Sequence, residues 1–237
     1  MGEEKMAKEH KFVQSKAEGG VARPAQPVGN ATGLRIGAII LWTFAIVFEA
    51  LGFGVILGKV DLKFCPVLYQ MIGFLVLDLA CVVIGSQFWK KANHIKPASE
   101  KNKFAFWLWN NLGLIVSVIA FLPLIILVLA NKDADKKTKT VVAVAAAVCL
   151  AIAGVTSYDF NPVSEEQQTA AMEAFGAEQV YWTKHGKVYH TSQDCQHLNR
   201  TEELIYGTVE QAIAENHVRL CKTCASRDGI TNVATEE

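Results

Sequence analysis

Residues 36–58 read IGAIILWTFAIVFEALGFGVILG, and this stretch decides the fold class. It carries one formal charge, Glu49, in 23 residues. A hydrocarbon core about 30 Å thick takes about 20 helical residues, because only a helix satisfies its own backbone polar groups in lipid. Three further apolar runs follow, at 66–88, 104–130 and 141–157. The last, VVAVAAAVCLAIAGVTS, is short and rich in alanine, so each residue contributes little to membrane transfer. It is read as a fourth span, with a helix packed against the other three as the competing reading.

Working outward, apolar residues make up 51% of the chain and crowd into the membrane region, 35–157, while both flanks are polar. The expected organisation is a polar tail at 1–34, the membrane domain, a linker with a short helix at 158–179, a compact module at 180–226 and a flexible end at 227–237. The first segment holds Gly19, Gly20, Pro24 and Pro27 and buries too little to fold alone, so it is expected to be disordered. The first apolar run starts too deep for a cleaved signal peptide and is too long for one. Gly2 is followed at position 6 by Met6 rather than Ser or Thr, which argues against myristoylation. Lys and Arg number 23 and Asp and Glu 23, so net charge gives no case for nucleic acid as a partner.

With four spans the termini share one side. The basic residues on that side are Arg23, Arg35, Lys90, Lys91, Lys96, Lys101 and Lys103, against Lys59, Lys63, Lys132, Lys136, Lys137 and Lys139 on the other. This excess of one favours cytosolic termini only weakly. Trp42 falls inside the first run, whereas Trp89, Trp107 and Trp109 lie near run ends and suit interface anchors.

Glu49 and Asp78 fall near the middle of the first and second runs, where charge is costly. Two readings stand. In one, both carboxyls are protonated and fix helix order by bonding to neighbours such as Asn110, Asn111 or Ser117. In the other, they mark an ion, proton or solute path. Gly54 and Gly58 form a small-xxx-small pattern, on which a homo-oligomer can be built.

Beyond Ser157, Asn161-Pro162 should stop any helix, and Ser164 with Gln167 reads as a capping box opening a helix to about Phe175. Gly176 suits its C-terminal end. This stretch is read as a spacer. From Val180 the pattern is VYWT, a KHGK turn and VYH, a hairpin that delivers His190, with Cys195 five residues later. LIYG suggests another strand, and Thr208 with Gln211 a capping box for a helix over TVEQAIAENH. Cys221 and Cys224 then arrive on a tight knuckle, CKTC. Two donor pairs, each closed by a short loop, suit tetrahedral Zn2+, and His190, Cys195, Cys221 and Cys224 are the expected ligands. His197 competes with His190, which is preferred because its longer separation from Cys195 lets both donors converge without strain. Lys222 and Arg219 are candidates to offset the site's negative charge, and His185 and His217 read as solvated. Thiolate ligands also favour a reducing compartment, hence cytosolic termini in the cell membrane. The fold class expected is a mainly α membrane protein of four transmembrane helices with a small α+β zinc-binding C-terminal domain.

GKVYH, Cys195, GTVEQAIAE and RLCKTC together resemble the metal-binding domain of the Ada family of DNA alkylation-response proteins, over about residues 180–226 and not the membrane region. The resemblance implies a hairpin, a strand and a helix gathered around zinc. In that family the first ligand is a cysteine that accepts a methyl group, and the matching position here is His190. An imidazole cannot replace that thiolate, so the repair chemistry does not transfer. From 180 to 230 the bases Lys184, Lys187, Arg200, Arg219, Lys222 and Arg227 are balanced by Asp194, Glu202, Glu203, Glu210, Glu215 and Asp228, unlike a DNA-binding face. The expectation is therefore no enzyme, but an interaction, sensing or assembly element that engages a protein partner through the module. The alternatives are a small transporter using Glu49 and Asp78, with the zinc module regulatory, and thiol chemistry at Cys195, Cys221 or Cys224.

Overall fold

Four long apolar helices and a short three-helix, two-sheet module follow from these patterns in a computed structural model. It describes residues 10–15, 30–60, 62–63, 65–132, 135–175, 178–215, 217–231 and 235. The Gly2, Gly19-Gly20, Arg23, Pro24, Pro27 and Gly176 readings lie outside the described residues. The chain divides into two units: one formed by 32–92 and 103–162, the other by 1–31, 93–102 and 163–237.

The first unit is helical. It contains α1 (Ala31–Ile56), α2 (Val67–Ile95), α3 (Lys103–Asn110), α4 (Leu112–Ala130) and α5 (Lys136–Ser157). Helices α1, α2, α4 and α5 are each long and apolar enough to cross a membrane. Only 28% to 33% of the most apolar window of each is buried in the protein. Ile39, Ile40 and Phe44 on α1 and Val144, Val148 and Val155 on α5 face outward. In water such a surface would be an aggregation site, whereas hydrocarbon solvates it without penalty.

Helix α5 starts earlier than its apolar run. The Asp135 carboxylate accepts the Thr138 N–H at 2.9 Å and caps the helix, so the polar KKTKT segment supplies its first turns. Its 22 residues rise about 33 Å, which meets the length a span needs. The run at 104–130 is not one helix but two. The side-chain amides of Asn110 and Asn111 donate back to the carbonyls of Phe106 and Trp107, each at 3.0 Å, and Asn111 leaves helical geometry at φ −106°, ψ 21°. The 19 residues of α4 still rise about 29 Å.

Small residues let α2, α4 and α5 meet. A Cβ on Gly113 would lie 2.5 Å from Ser86 Oγ and 3.3 Å from Ser157 Cβ. The Gly54/Gly58 pattern is no such seam. Gly58 sits at φ +68° just past α1, its N–H bonded to Val55 O, and a Cβ on Gly54 would strike Val60, part of the chain's own return. Trp89 is likewise no interface anchor: it is buried, packs its ring at a tilt against Trp42 and Trp109, and donates its indole N–H to Trp109 O at 2.8 Å. The Arg35 guanidinium lies over the Trp89 and Trp109 rings, 5.8 and 5.4 Å from their centroids.

The second unit holds β1 (Lys11–Gln14), α6 (Glu165–Phe175), β2 (Val180–Trp182), β3 (Val188–Tyr189), β4 (Glu203–Gly207), α7 (Val209–Ala214), β5 (Arg219–Leu220) and α8 (Lys222–Asp228). One sheet has the order β1-β4-β2 and the other β3-β5. Lys11–Gln14 is thus a strand, parallel to β4, within the segment expected to be disordered. The N-terminal segment cannot fold alone, but an existing sheet edge supplies the partner its backbone lacks. Ser15 extends the attachment by donating to Glu215 Oε1 at 2.6 Å.

The expected hairpin survives as one bridge pair. Tyr181 and His190 exchange backbone bonds of 2.8 and 2.7 Å, while β2 pairs antiparallel to β4 and β3 pairs parallel to β5. Both capping boxes form: Ser164 with Gln167 opens α6, and Thr208 with Gln211 opens α7. Helix α6 is part of the module's core rather than a spacer, because Ala171 and Phe175, four residues apart, bury one face among Val180, Tyr189 and Leu220. Thr235 is also tied in, since it bridges to Leu220 and its carbonyl accepts from Arg219 at 3.0 Å.

Candidate metal centre

His190 follows β3, and its backbone is fixed by the bridge to Tyr181. Cys195 opens the turn that follows, where Leu198 N–H donates to Cys195 O at 2.8 Å. Cys221 follows β5, donates its N–H to Tyr189 O at 2.9 Å and caps α8, and Cys224 lies in the first turn of that helix. The parallel β3–β5 pairing therefore sets the two ligand pairs side by side. The sequence reading expected a knuckle here and missed α8.

The four donor atoms lie within 4.8 Å of one another, and all four residues are buried. Cys195 Sγ is 3.9 Å from Cys221 Sγ, and Cys224 Sγ is 3.8 Å from His190 Nδ1. Bond lengths of about 2.3 Å to sulfur and 2.0–2.1 Å to nitrogen give a tetrahedron with S···S edges of about 3.8 Å and S···N edges of about 3.6 Å. The two measured edges exceed these by tenths of an ångström. The residues fit a tetrahedral metal such as zinc, which bound there would tie two chain segments together, 190–195 and 221–224.

Burial also sets the protonation of the metal-free donors. It pushes the Cys195 thiol up to about 12, with the neighbouring thiols adding to the rise, and it pushes His190 down to about 4. The imidazole is thus neutral and ready to donate, while a metal must displace the thiol proton.

His197 lies outside this cluster, exposed, with Nε2 3.0 Å from Thr223 Oγ1. His217 is not solvated: it is buried against the Trp182 ring, centroids 5.8 Å apart, and its Nδ1 has no hydrogen-bond partner. His185 is exposed. Arg227, three residues after Cys224 on α8, interacts electrostatically with Cys224 and Cys195, a role the sequence reading overlooked. It donates to Thr191 Oγ1 at 2.9 Å and pairs with Asp228 at 2.6 Å, beside His190 in the chain. The i, i+3 spacing from Cys224 was the signal, hidden because α8 was not foreseen.

Glu49 and Asp78 both line one narrow cleft in the helical unit. Neither makes the bonds expected of structural glue. Asn110 and Asn111 donate to Phe106 and Trp107, and Ser117 donates to Gly113. Both Asp78 oxygens and Glu49 Oε1 lack a hydrogen-bond partner.

Comparison with known proteins finds no match: no family model, no curated protein and no solved structure corresponds to this chain. The likeness of residues 180–226 to the Ada-type domain rests on its motifs alone.

Proposed function

We propose that this chain is a four-span integral membrane protein of the cell membrane whose C-terminal unit is a cytosolic, structural zinc module serving assembly or interaction rather than catalysis. The observation that carries the reading is a donor set of four protein groups closing on one point, which leaves no position for a catalytic water. His190 and Cys195 hold one side of the metal and Cys221 and Cys224 the other. The Ada-type likeness supports the same fold without its methyl-acceptor chemistry.

The composition of the module's unit suggests what is assembled. Besides 163–237 it takes in the N-terminal strand and the connection at 93–102. Glu165 N–H donates to Ala98 O at 3.1 Å, the Glu100 N–H donates to Glu166 Oε2 at 2.9 Å, and the Ser99 hydroxyl donates to Glu166 Oε1. These three segments are separated by two long helices each, so an even number of crossings brings them to one face of the bilayer. The module is then a clasp that holds them together, with a further protein partner able to read the clasped state.

The test is proteolysis of the full-length protein in detergent, with and without a zinc chelator. Chelation should expose the 93–102 connection to cleavage, and added zinc should restore protection. Cleavage at equal rates in both conditions would defeat the clasp.

A further inference from the structure

Glu49 on α1 and Asp78 on α2 face one cleft whose other walls include Gly52, Met71, Phe74 and Leu124. Asp78 is 1% exposed and Glu49 8%. A buried carboxylate without a donor loses its hydration and receives nothing in return, a penalty that grows steeply if it is charged. No Lys, Arg or His lines the cleft. The thiols Cys81, on α2, and Cys149, on α5, also interact electrostatically with Asp78, and neither supplies positive charge. Among the described residues nothing in the cleft supplies positive charge, so neutralisation falls to a bound cation.

The cleft restricts which cation that is. Its walls are apolar apart from the two carboxyls, so a hydrated ion finds no further groups to hold its water shell. Calcium takes six to eight oxygen ligands and magnesium an octahedron, whereas two carboxyls among apolar side chains offer at most four oxygens. A proton needs neither a coordination shell nor space. Bound to one carboxyl oxygen, it removes one unit of negative charge and converts an acceptor into an O–H donor.

We propose that Glu49 and Asp78 form an intramembrane proton-binding site. The site lies in the helical unit and uses no ligand of the metal centre, so it stands or falls separately from the zinc reading. The proton arrives from water and returns to water when the acid ionises, with no other bond made or broken. Coupled sites of this kind titrate as a pair rather than as two independent acids.

The experiment is infrared difference spectroscopy on the full-length protein in lipid nanodiscs, stepped between neutral and alkaline pH in H2O and D2O. The protein should show a protonated-carboxyl C=O band at neutral pH that shifts in D2O and disappears at alkaline pH. Glu49→Gln and Asp78→Asn, each close in shape to the acid it replaces, should each alter the band, and the double variant should remove it. Because each single variant gives its own answer, a double variant that fails to fold leaves the assignment decidable. A neutral-pH spectrum without the band, or a band unchanged by both single variants, overturns the proposal. So does a band that vanishes when Na+ or K+ is added at constant pH, since the occupant would then be a metal cation.

Discussion

Zinc binding near neutral pH should release three protons. Three of the four donors are thiols, and each must ionise to coordinate. Burial holds the Cys195 thiol up at about 12 in the metal-free protein, so its proton leaves only when the metal displaces it. The fourth donor, His190, is held down at about 4 and is neutral already. Protons compete with the metal, so acid weakens binding, and three displaced protons fix the slope. The association constant should rise about 1,000-fold per pH unit, about 4 kcal/mol. The assay is competition for zinc between the detergent-solubilised protein and a chromophoric chelator at pH 6.5, 7.0 and 7.5. Extending the series to pH 5 adds a second reading. If the metal-free unit keeps its fold, the slope stays at three, but if it unfolds, His190 returns to an ordinary value near 6.5 and the slope climbs toward four. A slope of two or less means that one of the three thiols is not a ligand, and the site as built here is refuted.

Other outcomes follow from named contacts. His190→Ala should weaken zinc binding about 100-fold, about a fifth of the 10–16 kcal/mol typical of structural zinc, while His197→Ala should leave affinity unchanged; equal losses would reverse the assignment. His217 is held down at about 4 by burial, with Glu215 opposing, so the unfolded state, near 6.5, takes up protons first. The stability this contributes is intact above pH 6.5 and lost as pH falls through 4, about 2 kcal/mol by pH 5, and His217→Gln should flatten that part of the unfolding-versus-pH curve relative to the unsubstituted protein. Gly113→Ala should destabilise the helical unit by about 1–3 kcal/mol, read as a lower melting temperature in detergent, because its Cβ would lie 2.8 Å from Ser86 Cβ. An unchanged melting temperature would mean that the helices separate at no cost.

The sequence reveals most where a local pattern suffices. The presence and order of the four long helices come from apolar runs, both capping boxes from a Ser or Thr three residues before Gln, and the four clustered donors from short-range pairing. What it hides depends on distant partners. Lys11–Gln14 has no reason to be extended until β4 offers an edge, and the parallel β3–β5 pair joins residues about 30 positions apart. Trp89 and His217 carry polar atoms that suggest water, yet each finds an aromatic face, Trp42 and Trp182 respectively. The Gly54/Gly58 spacing suggested a helix seam because sequence does not say where α1 ends, and Gly58 turns out to be where it turns back.

The pairing of Lys11 with Glu203 spans 192 positions, and it sets an order of events during synthesis. Translation at about 5–20 residues per second leaves roughly 10–40 s between the appearance of β1 and of its partner. Throughout that interval the membrane helices emerge while the first strand made has nothing to pair with. Lys11–Gln14 is thus made long before it can dock, and its docking reports that β4 has taken its place.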